Sequence, residues 1–243
     1  MDRLIYTAVS GANRSLTQQM IHANNLANAN TEGFRADLEK ATSTAVQGYG
    51  YSSRFQVDSS NGGVNLAHGA LQETGRELDV AIQGDGLIAI QNGRREAYTR
   101  NGHIDIDDLG NLSIGGLPLL GTNGPIQLPP FSQVAIGNDG VITVVPEDGN
   151  VEAAFDVDRI KLVDVPANQL RKNEEGLLVT NRATQPGSEE VRIVSEHLEA
   201  SNVSAITEMV QTVSLSRQFE AQIKMMKAAE TLAQAGNRLI RGS

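Results

Sequence analysis

The sequence predicts an α+β chain in which two long terminal helices bracket an antiparallel β-rich middle. Three observations carry this. All seven prolines lie between Pro118 and Pro186, leaving both ends proline-free. Apolar residues recur every three or four positions at both ends, as on one face of a helix. From Leu78 the period shortens to two, and glycine-containing turns follow at short intervals.

The first element, within residues 1–35, is predicted as a helix because Ile5, Val9, Ala12, Leu16, Met20, Ala23 and Ala27 form one stripe, with Leu26 beside it. Asp2, Arg3 and Arg14 are the charged residues of positions 1–30, where Ser, Thr, Asn and Gln abound. A solitary surface helix usually carries i,i+4 charge pairs there. A face of amides and hydroxyls suits packing against protein on several sides. Gly33 supplies a left-handed stop. A stop needs only Gly33, yet Asn24, Asn25, Asn28 and Asn30 crowd the same end with amides that both donate and accept. That excess predicts hydrogen bonding between subunits, with Phe34 as an anchor against a neighbouring layer.

Residues 36–74 lack a consistent period and read as an extended connector rich in Gly, Ser and Asn. The 75–197 stretch reads as a β-rich domain, a barrel or sandwich. Its strand candidates are 78–82, 87–90, 103–107, 111–114, 133–136, 141–145, 159–164 and 176–180. Asn92-Gly93 and Asn101-Gly102 are hairpin signals between them. Residues 198–243 form the closing helix, with Ser204 as N-cap and Glu208 in its first turn. Val203, Ile206, Val210 and Val213 make one stripe; Leu215, Phe219, Ile223, Met226, Ala229 and Ala233 make a second, offset near Arg217. The two terminal helices are expected to pair as a coiled coil, or to pack on other subunits.

Composition excludes several classes. Net charge is −9 with no basic cluster, which argues against nucleic acid. The absence of cysteine rules out disulfides and thiolate chemistry. No run is long and apolar enough to predict a membrane span, and Met1-Asp2-Arg3-Leu4 leads into no secretory h-region. The expectation is a protein that is either cytoplasmic or exported with its N-terminus intact. Aromatics are 4% of the chain, so the core must be aliphatic.

Chemical motifs fail on inspection. Gly84-Asp85-Gly86 after an apolar strand mimics a dinucleotide fingerprint, but Asn92-Gly93 leaves no room for the helix that must follow; it reads as a hairpin turn. Asp105-Ile106-Asp107-Asp108-Leu109-Gly110 begins like a calcium loop, yet Leu109 and Gly116 stand where oxygen ligands are required. His22, His68, His103 and His197 have no metal-type spacing, and His103 near Asp105 and Asp107 reads as a shared strand face. The reading is no enzyme, with no catalytic, cofactor-binding or metal residues.

The block Ala23-Asn24-Asn25-Leu26-Ala27-Asn28-Ala29-Asn30-Thr31-Glu32-Gly33-Phe34-Arg35 resembles the signature of the bacterial flagellar rod and hook proteins. The resemblance continues through Leu78-Asp79-Val80-Ala81-Ile82-Gln83-Gly84-Asp85-Gly86, Tyr98-Thr99-Arg100-Asn101-Gly102 and Leu198-Glu199-Ala200-Ser201-Asn202-Val203. The opening Met1-Asp2-Arg3-Leu4-Ile5-Tyr6-Thr7-Ala8 and the tail around Arg217-Gln218-Phe219 look like the proximal-rod branch. A distal-rod or hook-basal paralogue is the alternative, and a secreted β-rich binding module or enzyme a distant one.

The resemblance implies a structural subunit of the basal-body rod in the periplasm, self-assembling and transmitting torque. Its implied partners are other copies, proximal and distal rod subunits, and the flagellar type III export apparatus. The expected assembly residues are Ile5, Val9, Leu16, Met20, Asn25, Leu26, Asn28 and Phe34 on the N-terminal side. On the C-terminal side they are Val210, Val213, Phe219, Ile223 and Met226.

Overall fold

The computed structural model describes residues 2–45, 55–173 and 175–241. The chain divides into two compact units. One comprises Met1–Ala27, Asp37–Gly62 and Ser204–Ser243, here the helical unit; the other comprises Asn28–Ala36 and Gly63–Val203, here the β unit. The fold is α+β.

In the helical unit, α1 (Asp2–Ala27) and α2 (Ala205–Arg241) run roughly 39 and 55 Å at about 1.5 Å per residue. They pack antiparallel, with Gly11 facing Gln222 and His22 facing Glu208. Ser204 caps α2 as expected: its Oγ accepts from the Thr207 amide at 3.4 Å and from Thr207 Oγ1 at 3.0 Å. Within the predicted connector, β1 (Asp37–Ala45) and β2 (Phe55–Val64) form a two-stranded sheet. Residues 46–54 of that connector, including Gly48 and Gly50, lie outside the described residues. Most described side chains of β1 are exposed, so no buried face imposes the period of two that marks a strand in sequence.

The β unit opens with β3 (Leu71–Glu73), β4 (Val80–Gln83), β5 (Leu87–Asn92) and β6 (Arg95–Thr99). Next come β7 (Asp105–Ile106), β8 (Leu112–Ile114), β9 (Leu117–Pro118), β10 (Phe131–Ile136) and β11 (Val141–Pro146). The last strands are β12 (Phe155–Arg159), β13 (Leu162–Val163), β14 (Arg171–Lys172), β15 (Leu178–Val179), β16 (Arg192–Ser195) and β17 (His197–Glu199). They are shared among several short antiparallel sheets, the widest in the order β13-β5-β6-β15-β14.

Strand β5 sits at the centre because both of its faces are apolar. Ile88 and Ile90 enter one core with Ile104, Leu112, Leu119, Ile142, Val144 and Ile193; Leu87 and Ala89 enter a second with Tyr98, Val163, Leu170 and Leu178. The core is aliphatic apart from Tyr98, whose hydroxyl donates to Glu96 at 3.0 Å. Burial, with Glu96 beside it, pushes the Tyr98 phenol well above its usual range.

Two turn assignments need correction. Asn92-Gly93 does join the β5–β6 hairpin, Asn92 pairing with Arg95. Asn101-Gly102 joins no hairpin: Gly102 presses against β4, where an added Cβ would lie 1.6 Å from the Val80 carbonyl oxygen. Gly84-Asp85-Gly86 is not a hairpin turn either. Strand β4 pairs with β16 while β5 pairs with β6, so these residues turn a corner between sheets. In both places a partner distant in sequence outcompetes the local pairing that the dipeptides suggest.

Candidate assembly interface

The seam between α1 and α2 is built from small and polar residues on one side. Ala8, Ala12, Ser15 and Asn25 of α1 are buried, and Gly11, Gln18 and His22 are half-buried. Opposite them, Glu208, Thr212, Leu215, Phe219, Gln222, Met226, Ala229 and Ala233 recur every three or four residues as the less exposed face of α2. Gly11 permits close approach: a Cβ there would stand 2.9 Å from Gln222 Nε2. His22 Nδ1 meets Glu208 Oε2 at 2.5 Å. Arg14 Nε donates to Glu39 Oε1 at 3.3 Å, and Gln18 donates to the same carboxylate.

Of the apolar stripe read from the sequence of α1, only Ala12 is buried in the seam. Ile5, Leu16 and Leu26 are half-buried, while Val9 is exposed and Met20 is 69% exposed. Tyr6, which the sequence reading left out, is 76% exposed. On α2 the first stripe also points away: Ile206 is 78% and Val210 62% exposed, with Met209 and Val213 beside them. The second stripe, with Phe219, Ile223 and Met226, is half-buried. Met209, Val210, Val213, Ser214, Arg217, Gln218 and Ala221 line an open, mostly apolar groove. The helical unit thus has a filled internal seam and large aliphatic side chains left over outside it.

Asn25 is spent within its own chain. Its Oδ1 accepts from the Asp37 amide at 2.9 Å and its Nδ2 donates to the Asp37 carbonyl at 3.2 Å. Asn25 is 2% exposed in the free subunit, and this pair of bonds ties the end of α1 to β1. Asn28 Oδ1 accepts from Thr31 Oγ1 at 3.2 Å, a local contact at the helix end. Gly33 adopts φ +66°, as a left-handed stop requires. Phe34 is half-buried with Lys172 Nζ 3.8 Å from its ring centroid, a cation–π contact inside the β unit.

Sequence reasoning missed a buried charge cluster in the β unit. Glu199 and Arg35 have side chains 1% exposed, and Arg100 3%. Arg35 Nη2 donates to Glu199 Oε1 at 2.5 Å, and Arg100 Nη1 to Oε2 at 3.0 Å. The Gly69 amide also donates to Oε1, at 2.8 Å, and Arg100 Nη2 donates to the Gly84 carbonyl at 2.7 Å. Burial lowers the Arg100 pKa, against the pull of Glu199. The four signature blocks thereby meet: Arg35, Gly84, Arg100 and Glu199 each belong to a different one. The legible signal was a charged residue, Arg35, Arg100 or Glu199, in each of three separate blocks, although nothing in the sequence pairs them.

The remaining candidates are structural. Asp107 Oδ1 accepts from the Leu109 and Asn111 amides at 2.9 and 2.8 Å, and its Oδ2 from the Asn111 side chain at 2.8 Å. These bonds, that from the Asn111 side chain foremost, hold its pKa below the usual carboxylate value. His103 Nδ1 lies 2.9 Å from Asp79 Oδ1, which also pairs with Arg76 at 2.8 Å. No group of three or more His, Asp or Glu side chains placed to hold a metal occurs among the described residues. Among those residues, too, no helix is long and apolar enough to cross a membrane.

Comparison with known proteins follows the same blocks. Residues 5–35 match the family "Flagella basal body rod protein", residues 81–144 the "Flagellar hook protein FlgE/F/G D1 domain", and residues 194–239 the "Flagellar basal body rod FlgEFG protein C-terminal". The flagellar basal-body rod protein FlgF of Escherichia coli is 35% identical over 248 residues, covering 99% of each chain. This chain belongs to the FlgF family of flagellar basal-body rod proteins. The FlgF of Salmonella typhimurium is 36% identical, again over 99% of both chains. The rod protein FlgG of Bacillus subtilis is 30% identical over 96% of this chain and 97% of its own. As a FlgF-family member, the chain is a structural subunit of the flagellar basal-body rod, and its relatives are structural proteins, not enzymes.

Proposed function

We propose that the subunit joins the rod through the outward faces of its terminal helices. The α1–α2 pair acts as a coiled-coil packing element, and Tyr6, Val9, Met20, Ile206, Val210 and Val213 meet helices of neighbouring subunits. One observation carries this reading: these large apolar side chains stay exposed although the seam between the two helices is already filled. Large apolar surface left in water on an assembling chain marks an interaction site. The neighbours are further copies and other proximal or distal rod subunits, reached after export by the flagellar type III apparatus without loss of the N-terminus. Repeated heterologous contacts that do not close into a ring build a helical shaft able to transmit torque.

The test is to replace Val210 and Val213 by Asp. Both are exposed, so the isolated subunit should keep its stability within about 0.5 kcal/mol. Incorporation into basal bodies should fall sharply, because each carboxylate would be buried unpaired at the contact. Normal swimming with a full complement of subunit would refute the reading.

A further inference from the structure

Residues Asn28–Ala36 lie in the β unit, whereas the chain on both sides of them, α1 and β1, belongs to the helical unit. The segment is a nine-residue visitor with a dedicated seat. The Gly33 amide donates to the Glu199 carbonyl at 2.6 Å, and the Asn202 amide donates to the Phe34 carbonyl at 3.3 Å. Asn202 Oδ1 accepts from the Ala36 amide at 2.8 Å, while Asn202 Nδ2 donates to the carbonyls of Asn65 and Ala67 at 2.9 and 2.8 Å. The Asn65 amide donates to the Ala36 carbonyl at 2.9 Å, and Lys172 Nζ donates to the Arg35 carbonyl at 2.7 Å.

Three successive side-chain identities are read by this seat. Position 33 admits only glycine: besides its φ of +66°, an added Cβ would lie 2.1 Å from the Asn101 nitrogen and 2.2 Å from the Arg100 carbonyl carbon. Position 34 needs an aromatic face for the Lys172 ammonium. Position 35 needs a guanidinium, since Glu199 is buried and already faces Arg100. We propose that the β unit carries a binding slot for a Gly-aromatic-Arg peptide, formed by Asn65, Asn101, Lys172, Glu199 and Asn202. Residues 33–36 are its tethered ligand, docking and leaving as one piece. Glu199 and Asn202 follow their strap partners by 164 and 166 residues. The strap therefore has no seat until the C-terminal part of the chain is in place, and it docks late in folding.

The experiment uses the full-length chain carrying Gly33→Val, which cannot seat its own strap, and a labelled peptide with the sequence of residues 28–36. The variant should bind the peptide at least ~tenfold more tightly than the wild-type chain, whose slot is filled, and a peptide with Arg35→Met should bind at least ~tenfold more weakly. Equal binding by both chains, or indifference to Arg35→Met, would overturn the proposal. Should Gly33→Val fail to fold, amide exchange on the wild-type chain decides. The amides of Gly33, Ala36 and Asn65 should then exchange together and before those of the β5–β6 hairpin. Exchange of all of them only in one common unfolding event would show that the strap is no separable ligand.

Discussion

Removing the Glu199 carboxylate is the sharpest test of how the β unit is held together. Glu199→Ala leaves two guanidinium groups buried without their counter-ion. Arg100 keeps its bond to the Gly84 carbonyl at 2.7 Å, but Arg35 Nη1 retains only a long contact to the Phe34 carbonyl at 3.4 Å. The Gly69 amide also loses its acceptor. Breaking a buried ion pair costs about 3–5 kcal/mol, and this site combines two pairs with one partly compensated cation, so a loss of about 4 kcal/mol is expected. In scanning calorimetry the β-unit transition should drop by roughly 10 °C, at about 2–4 °C per kcal/mol for a unit of this size. Asp139→Ala supplies the internal control. Its pair with Arg159 is half-exposed and 3.3 Å long, and should be worth no more than about 1 kcal/mol. A Glu199→Ala transition no lower than that of the Asp139→Ala control would refute the reasoning.

Other expectations follow from backbone and burial. Gly102→Ala should destabilise by roughly 3 kcal/mol or more because Val80 must give way, while Gly93→Ala, at φ +61° with open space around it, should cost about 1 kcal/mol; urea midpoints compare them. Glu196 is the one non-glycine described residue with positive φ, at 62°, so Glu196→Gly should stabilise by about 0.5 kcal/mol, read as a higher thermal midpoint, relief of the backbone exceeding glycine's entropy cost. The Tyr98 phenol is raised in the folded state above its ordinary 10.0, so its contribution is complete below pH 10 and is lost as pH rises from there toward the folded value. Tyr98→Phe should therefore show a shallower alkaline decline in stability than wild type, despite a small loss near neutrality.

The elements were legible where burial leaves a period in the sequence. Both terminal helices announce themselves by 3.6-residue stripes, β8 by alternation with one face in a core, and β5 and β11 by short apolar runs bounded by turn residues. Strand β1 has no such face and left no period. The seam face of α1 is less legible for a related reason: Ala8, Gly11, Ala12 and Ser15 make it, while the exposed Val9 and Met20 lie outside it. Asn101-Gly102 and Gly84-Asp85-Gly86 carry local turn chemistry, yet their geometry is fixed by Val80 and Arg100. Arg35, Arg100 and Glu199 were visible as charges in three separate blocks, but their pairing arises only when segments 65, 99 and 164 residues apart are folded together.

The central claim is that the outward apolar faces of α1 and α2 are buried against neighbours in the rod. Because the chain has no cysteine, a single introduced thiol reports alone. Met20→Cys and Val213→Cys would be labelled with a water-soluble maleimide in the free subunit and in purified basal bodies, with labelling rates in the intact rod divided by those of the free subunit. Labelling should be at least ~tenfold slower in the rod at both positions, since side chains more than half exposed in the subunit become enclosed by other helices. Equal rates in rod and free subunit would contradict it.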